Sequence, residues 1–151
     1  SICSDSLSWE TRLSLEVSMP DQIFEPTIKR VSADERGEIY SIALPGDKEL
    51  MLLHSRAGVF RGGHSHDVAE RVLVLTGRML YHKHQVTGEW ETTLEELVDG
   101  GSAYNHSGQV HMGEFLEDTW LLEWKIRTTK NGWRNTDYEP WREKVRASAG
   151  R

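Results

Sequence analysis

From Gly37 onward, the sequence is a series of short apolar runs interrupted by glycine, proline, aspartate and asparagine. The interruptions recur at roughly 8 to 12 residues, which is the spacing of strands and turns in a sandwich or barrel. The strongest turn signals contain glycine, which adopts backbone conformations that other residues avoid. These are Pro45-Gly46-Asp47, Thr76-Gly77, Thr87-Gly88 and Asp99-Gly100-Gly101. The pattern predicts an all-β fold.

The apolar runs between these turns are the predicted strands. The run 94–98 contains good helix formers, but the threonine pair before it and the double glycine after it favour a strand. Residues 1–21 lack a sustained period and are predicted to form an N-terminal arm that packs on the body or on a neighbour. After Arg127 the sequence becomes a polar extension, in which residues 141–151 are expected to form a short surface helix. The predicted strands are 38–44, 49–55, 58–63, 70–75, 78–86, 89–98, 102–104 and 115–126.

Length and composition restrict the class of protein. A chain of 151 residues is predicted to form one domain, 1–151, with a core at about 37–127. Its net charge of -6 would repel a phosphate backbone, so nucleic acid is not expected as a partner. A single cysteine, Cys3, excludes an intramolecular disulfide, and apolar runs fall far short of the roughly 18 residues of a membrane helix. A soluble cytoplasmic protein without membrane contact is predicted.

Two histidines separated by one residue, His64 and His66, are the clearest functional candidates. Side chains at i and i+2 of a strand point to one face, so both imidazoles can reach a single point. Glu70 opens the next strand, which would bring its carboxylate beside them. Two imidazoles and a carboxylate suit a divalent first-row ion such as Fe, Mn, Ni, Co or Zn. A second pair, His82 and His84, has no matched carboxylate or glycines around it and is expected to face solvent or a polar barrel wall.

Glycines frame the candidate ligands. From Gly58 to Gly77 the sequence reads G-x5-H-x-H-x3-E-x6-G, with every fixed position filled. This stretch resembles the first motif of the cupin superfamily, and the resemblance extends over residues 38–126. Downstream, Gly100, Gly108 and His111 occupy glycine and histidine positions of the second cupin motif.

The second motif departs from the family pattern at two positions. His106 stands where the family usually has proline, and Phe115 stands where it usually has asparagine. Neither change affects His111, which completes the three-histidine, one-carboxylate ligand set of the family. The first change adds an imidazole near the predicted site.

The resemblance implies a double-stranded β-helix, or jelly-roll barrel, that holds a metal ion in its mouth. His64, His66, Glu70 and His111 are then the metal ligands, and one or two coordination positions stay open for water or substrate. It also implies a homodimer, for which the N-terminal arm is a candidate contact.

Three further residues are predicted to serve the reaction. His106 or Tyr104 would move a proton, and Arg61 would bind an anionic or carbonyl substrate. The predicted function is a metal-dependent enzyme of the dioxygenase, decarboxylase, isomerase or lyase type. Its substrate would be a small polar molecule in the barrel mouth.

Two alternatives remain open at this point. Asp34-Glu35-Arg36-Gly37 and Arg61-Gly62-Gly63-His64-Ser65-His66 are similar to pieces of the cupin sugar-nucleotide ketoisomerases, which use histidine as an acid-base catalyst without a metal. The carboxylate in the ligand set counts against this alternative. The other is a non-catalytic cupin that senses a small molecule, for which the sequence offers no attached DNA-binding helix pair.

Overall fold

Two antiparallel sheets make up most of the structure, a computed structural model that describes residues 25–84, 92–126 and 132–149. The elements within these residues are β1 (Thr27–Asp34), β2 (Gly37–Leu44), β3 (Lys48–Ser55), β4 (Phe60–His66), β5 (Glu70–Thr76), β6 (Arg78–His84), β7 (Thr92–Val98), β8 (Ser102–Asn105), β9 (Val110–Phe115), β10 (Thr119–Lys125), β11 (Asn135–Asp137) and α1 (Glu139–Ser148).

The strand order shows how the chain closes. One sheet has six strands in the order β1-β2-β3-β10-β5-β8, and the other has five in the order β11-β4-β9-β6-β7. From β3 to β6 and from β7 to β11 the chain crosses between the sheets at each step, so strands distant in sequence become neighbours. This arrangement confirms the predicted all-β jelly-roll fold.

The hydrophobic core lies between the two sheets. Alternation along β5 and β10 directs Val72, Val74 and Leu121 inward, and β6 and β9 contribute Met79 and Phe115 from the other side. All five side chains are almost fully buried. Phe115, which replaces the usual asparagine of the second motif, is therefore a core residue.

Most predicted strands agree with the structure, but β9 and β11 were not predicted. The strand predicted at 115–126 is wrong in one respect, because Phe115 ends β9 and the chain turns before β10 begins at Thr119. Strand β1 was missed because it is a largely exposed edge strand with few apolar residues. The helix begins at Glu139 rather than at residue 141, and it buries Trp141 and Val145. Residues 1–21 and the predicted strand ends at 85–91 lie outside the described residues.

A β-bulge in β4 decides which side chains enter the barrel. Arg61 pairs with Gly113 and His64 pairs with His111, so one extra residue is inserted between them. Gly62 pairs with Met112, so the extra residue is Gly63, and the two glycines have φ of 99° and 84°. A Cβ atom on Gly62 would lie 2.8 Å from the His111 carbonyl oxygen, so only glycine fits there. Because of this bulge, both Arg61 and His64 face the barrel interior.

Candidate metal centre

Three imidazoles meet inside the barrel. His64 and His66 come from one face of β4, and His111 comes from the adjacent strand β9. Their ring centroids lie 4.6, 5.0 and 5.1 Å apart. One nitrogen from each ring lies within 4.8 Å of the other two, which is close enough for all three to hold one metal ion.

Two of the imidazoles are oriented by hydrogen bonds on their outer nitrogens. His66 Nδ1 faces the Asn135 side-chain oxygen at 2.5 Å, and His111 Nδ1 donates to the Gln109 carbonyl oxygen at 3.1 Å. In a neutral ring, donation from Nδ1 leaves the Nε2 lone pair free. Both Nε2 atoms therefore point toward the centre as potential ligands.

Glu70 lies against these two nitrogens. Its Oε2 is 3.5 Å from His66 Nε2, and its Oε1 is 3.5 Å from His111 Nε2. The side chain is fully buried and is hydrogen-bonded by Lys125 and, at 3.2 Å, by Asn105 Nδ2. Burial by itself would raise the pKa of Glu70, but Lys125 and the neighbouring histidines lower it to below its ordinary value. The group is a carboxylate at neutral pH.

The histidines are neutral at the same pH. Burial lowers the pKa of His64 to about 4 and that of His111 to about 4, and it also lowers the pKa of His66. Protons therefore do not occupy the lone pairs that an ion would need.

This donor set fits a divalent first-row metal ion. Ligands about 2.0–2.2 Å from one ion lie roughly 3 to 4 Å from each other, depending on the coordination geometry. The separations of 3.5 Å between Glu70 and the two Nε2 atoms match that spacing. Imidazole nitrogen with a carboxylate oxygen is also a common ligand combination for such ions.

A cavity of about 170 Å³ opens beside the imidazoles. His64 and His111 line it together with Arg61, Tyr81 and Glu123. Its remaining lining is Arg36, Ile39, Leu53, Gly62, Met79, Gly113, Phe115 and Leu121. The lining is thus mostly apolar, with a few polar groups that converge on one space, as is typical of small-molecule sites.

Arg61 is charged and has no acidic partner in the described part of the chain. Its Nε donates to Ser55 Oγ at 2.7 Å, and one terminal nitrogen donates to the His54 carbonyl oxygen at 3.3 Å. Burial and the charge of Arg36 lower the pKa of Arg61. Arg36, in contrast, is paired with Asp34 at 2.7 Å. Arg61 thus offers the cavity a positive charge that forms no ion pair within the described residues.

Glu123 is a second unpaired group. No described residue forms an ion pair or a side-chain hydrogen bond with its carboxyl group, which lines the cavity. Burial and the nearby Glu70 raise its pKa to about 8. Glu123 is therefore mostly protonated at pH 7 and carries a transferable proton.

The structure brings together some of the predicted site residues and separates others. The predicted ligands His64, His66, Glu70 and His111 converge, and Arg61 lines the adjoining cavity. Tyr104 and His106 do not line that cavity. They contact each other, with ring centroids 4.8 Å apart, in a different pocket next to Asp67 and Ser107.

The second histidine pair lies away from the centre. His82 Nε2 contacts Glu114 at 3.0 Å, and His84 Nδ1 contacts the Thr92 hydroxyl at 2.9 Å. The His84 ring stacks on Trp141 of α1, with centroids 5.6 Å apart. These histidines lie in a polar wall that α1 partly covers.

Sequence reasoning missed Lys125, Asn135 and Glu123. Glu123 and Lys125 alternate with Leu122 and Trp124, and charged residues at i and i+2 of an apolar strand would have indicated a polar inner face. Asn135 had no such signal, since it lies in a three-residue strand of the polar extension.

The two closed antiparallel sheets with a histidine cluster between them are the cupin fold. The sequence matches no protein-family model and no curated protein. Among solved structures, similarity is found to the capsular polysaccharide assembling protein CapF from Staphylococcus aureus, with a TM-score of 0.62 and 19% identity over 78% of this chain and 32% of that one. A tryptophan-to-phenylalanine variant of oxalate decarboxylase from Bacillus subtilis has a TM-score of 0.63 and 16% identity, over 80% of this chain and 34% of that one.

The vicilin of hazelnut, Corylus avellana, is also similar, with a TM-score of 0.61 and 12% identity over 72% of this chain and 32% of that one. The chain spans about a third of the length of each of these proteins. The similarity is therefore one of fold. No helix in the described ranges is long and apolar enough to cross a membrane.

Proposed function

We propose that the protein is a metal-dependent enzyme that acts on a small anionic molecule in the barrel cavity. The observation that carries this proposal is one cavity bordered both by imidazoles of the candidate metal centre and by an arginine that forms no ion pair with a described residue. Similarity in fold to oxalate decarboxylase is compatible with such a role.

The residues that would hold the ion are His64, His66, His111 and Glu70. A bound first-row ion would supply a Lewis acid or an oxygen-activating centre. Since such ions accept five or six ligands, four protein ligands leave room for a substrate oxygen or water. His64 and His111 line the cavity, so an open position would face the space that a substrate enters.

Arg61 would bind the negative charge of the substrate. Its planar guanidinium can pair with a carboxylate or phosphate through two parallel hydrogen bonds. Leu53, Met79, Phe115 and other apolar side chains reduce the local dielectric constant, which strengthens this interaction relative to water.

Glu123 would exchange the proton that such a reaction needs. Its protonated carboxyl group faces the cavity, whereas His106 and Tyr104 lie in another pocket. A neutral acid also avoids repelling an anionic substrate. We therefore propose Glu123 as the proton donor in place of the two residues predicted from the sequence.

A second candidate is a sugar-nucleotide isomerase, and the position of Arg36 favours it. Arg36 belongs to the sequence string that is similar to the ketoisomerases, and it lines the same cavity as Arg61. Two arginines at one cavity suit a phosphate-containing ligand.

Elemental analysis of the purified protein separates the two candidates. We expect about one first-row ion per chain, and anomalous scattering at the metal edges should place it between the three imidazoles. A metal-free protein that turns over a sugar nucleotide would contradict the first candidate and support the second.

Replacing Arg61 with glutamine should weaken anion binding while metal content stays unchanged. A charge-assisted hydrogen bond contributes about 1.5–3 kcal/mol, which corresponds to a loss of about 10- to 100-fold in affinity. Calorimetric titration of the metal-loaded protein with oxalate, malonate and inorganic phosphate measures this effect. Arg78→Gln is the matched control, because Arg78 pairs with Glu96 on the outer surface. Equal anion affinity in Arg61→Gln and the control would contradict the role of Arg61.

A further inference from the structure

Lys125 is a buried cation at the metal centre. It lies on the inner face of β10, directly opposite Glu70 on β5. Its side chain is 9% exposed, and its Nζ donates a hydrogen bond to Glu70 Oε2. The ammonium also lies 4.7 Å from the centroid of the Trp133 ring, in a cation–π contact.

The oxygen that Lys125 binds is one that a metal ion would need. Glu70 Oε2 is the atom 3.5 Å from His66 Nε2, and Oε1 faces His111 Nε2 and accepts from Asn105. An ion held by the imidazoles would therefore share the single negative charge of Glu70 with Lys125. Lysine and a divalent ion at such short range repel each other.

Without an ion, Lys125 compensates the charge of Glu70. A fully buried carboxylate is costly unless it is paired and hydrogen-bonded, and Lys125 and Asn105 supply both. The three neutral imidazoles cannot provide a counter-charge. The metal-free centre is therefore stabilised by its own internal cation.

We propose that Lys125 competes with the metal ion for Glu70 and thereby limits the metal affinity of the centre. This inference rests on the proposed metal-dependent function, since it concerns the same ligands. The ion pair stabilises the metal-free protein, and the competition makes occupancy of the centre depend on the concentration of the ion. The face of Trp133 offers the ammonium a favourable contact when its bond to Glu70 weakens.

The test compares Lys125→Met with Lys83→Met. Lys83 is a matched control because it is another lysine of 9% side-chain exposure, and it binds Glu95 and the Tyr104 carbonyl oxygen rather than Glu70. Zinc affinity is measured by competition with a chromophoric chelator. We expect Lys125→Met to bind Zn²⁺ at least tenfold more tightly than wild type, and Lys83→Met to bind it as wild type does. Lys125→Arg, which keeps the charge, should also remain near wild type.

The zinc-induced rise in melting temperature provides a readout that a purely structural role would not change. In chelator, Lys125→Met should melt below wild type because Glu70 loses its counter-charge. Saturating Zn²⁺ should raise its melting temperature by more than it raises that of wild type, because a ligand stabilises according to its affinity for the folded state. Lys125→Gln, which can still donate to Glu70, replaces Lys125→Met if the latter does not fold, with the same expected gain in affinity.

Two results would overturn the inference, and they differ in what they say about the proposed function. If wild type binds Zn²⁺ and the uncharged Lys125 variant binds it no more tightly, the competition is absent while the metal centre stands. If neither protein binds Zn²⁺, both the inference and the metal centre fail. Binding by the uncharged variant alone would support the competition in its strongest form.

Discussion

Replacing His111 with alanine should abolish stable metal binding. His111 is the imidazole ligand that β9 contributes, and its Nδ1 is fixed by the Gln109 carbonyl oxygen so that Nε2 faces the centre. Loss of a hydrogen-bond partner of a ligand typically costs about 10- to 100-fold in affinity, and loss of the ligand itself should exceed that. We expect about one ion per chain in wild type and none in His111→Ala after dialysis, measured by elemental analysis and chelator competition.

His82→Ala is the control for this result. His82 is also a buried histidine, 9% exposed, but it contacts Glu114 on the other side of the sheet. It should keep full metal content. Retention of the ion by His111→Ala at wild-type affinity would show that the metal centre lies elsewhere.

The metal-free protein should lose stability as the pH falls from about 6.5 to about 4. Burial lowers the pKa of His64 and of His111 from 6.5 to about 4, so the unfolded chain takes up protons first over this window. By about pH 4, each of these two histidines has reduced the free energy of unfolding by about 3 kcal/mol, since one pKa unit corresponds to about 1.4 kcal/mol. The lowered pKa of His66 acts in the same direction.

The titration of Glu123 offsets part of this loss of stability. Its pKa is raised from 4.5 to about 8, so the folded state holds this proton more tightly and gains stability as the pH falls from 8 to 4.5. From pH 6.5 downward this gain is about 3 kcal/mol, which offsets about one of the histidines. A net loss of several kcal/mol remains, compared with a typical total of about 5–15 kcal/mol for a protein domain.

Urea unfolding of the chelator-treated protein between pH 7 and pH 4.5 measures this effect. The zinc-loaded protein is the control, because coordinated nitrogens cannot take up protons until the ion is lost. Its stability should therefore fall at lower pH than that of the metal-free protein. A flat profile for the metal-free protein over this range would contradict the assignment of buried neutral histidines.

The predicted proton-transfer residues show why sequence spacing alone was insufficient to place a side chain in the cavity. Tyr104 is close in sequence to His111, but it alternates along β8 with Ala103 and Asn105, which are both buried. It therefore points away from the barrel interior. The face of the sheet to which a side chain points depends on the register of its strand with a neighbouring strand. A run as short as β8 does not reveal that register.

The residues missed around the ligands have a different explanation. Lys125 reaches Glu70 because β10 pairs with β5, and Asn135 reaches His66 because β11 pairs with β4. These contacts join residues 55 and 69 positions apart. Pairing over such separations is set by the closure of the two sheets.

The sequence by itself determined the all-β class, the turns and the pairing of His64 with His66 on one strand face. These features depend on interactions between near neighbours, since turn chemistry and strand alternation act over a few residues. Only the tertiary structure decided that Lys125 donates a hydrogen bond to Glu70. It also decided that the bulge at Gly62 and Gly63 directs Arg61 into the barrel interior. The reason is that long-range strand pairing fixes the direction of each side chain and the charge that it meets.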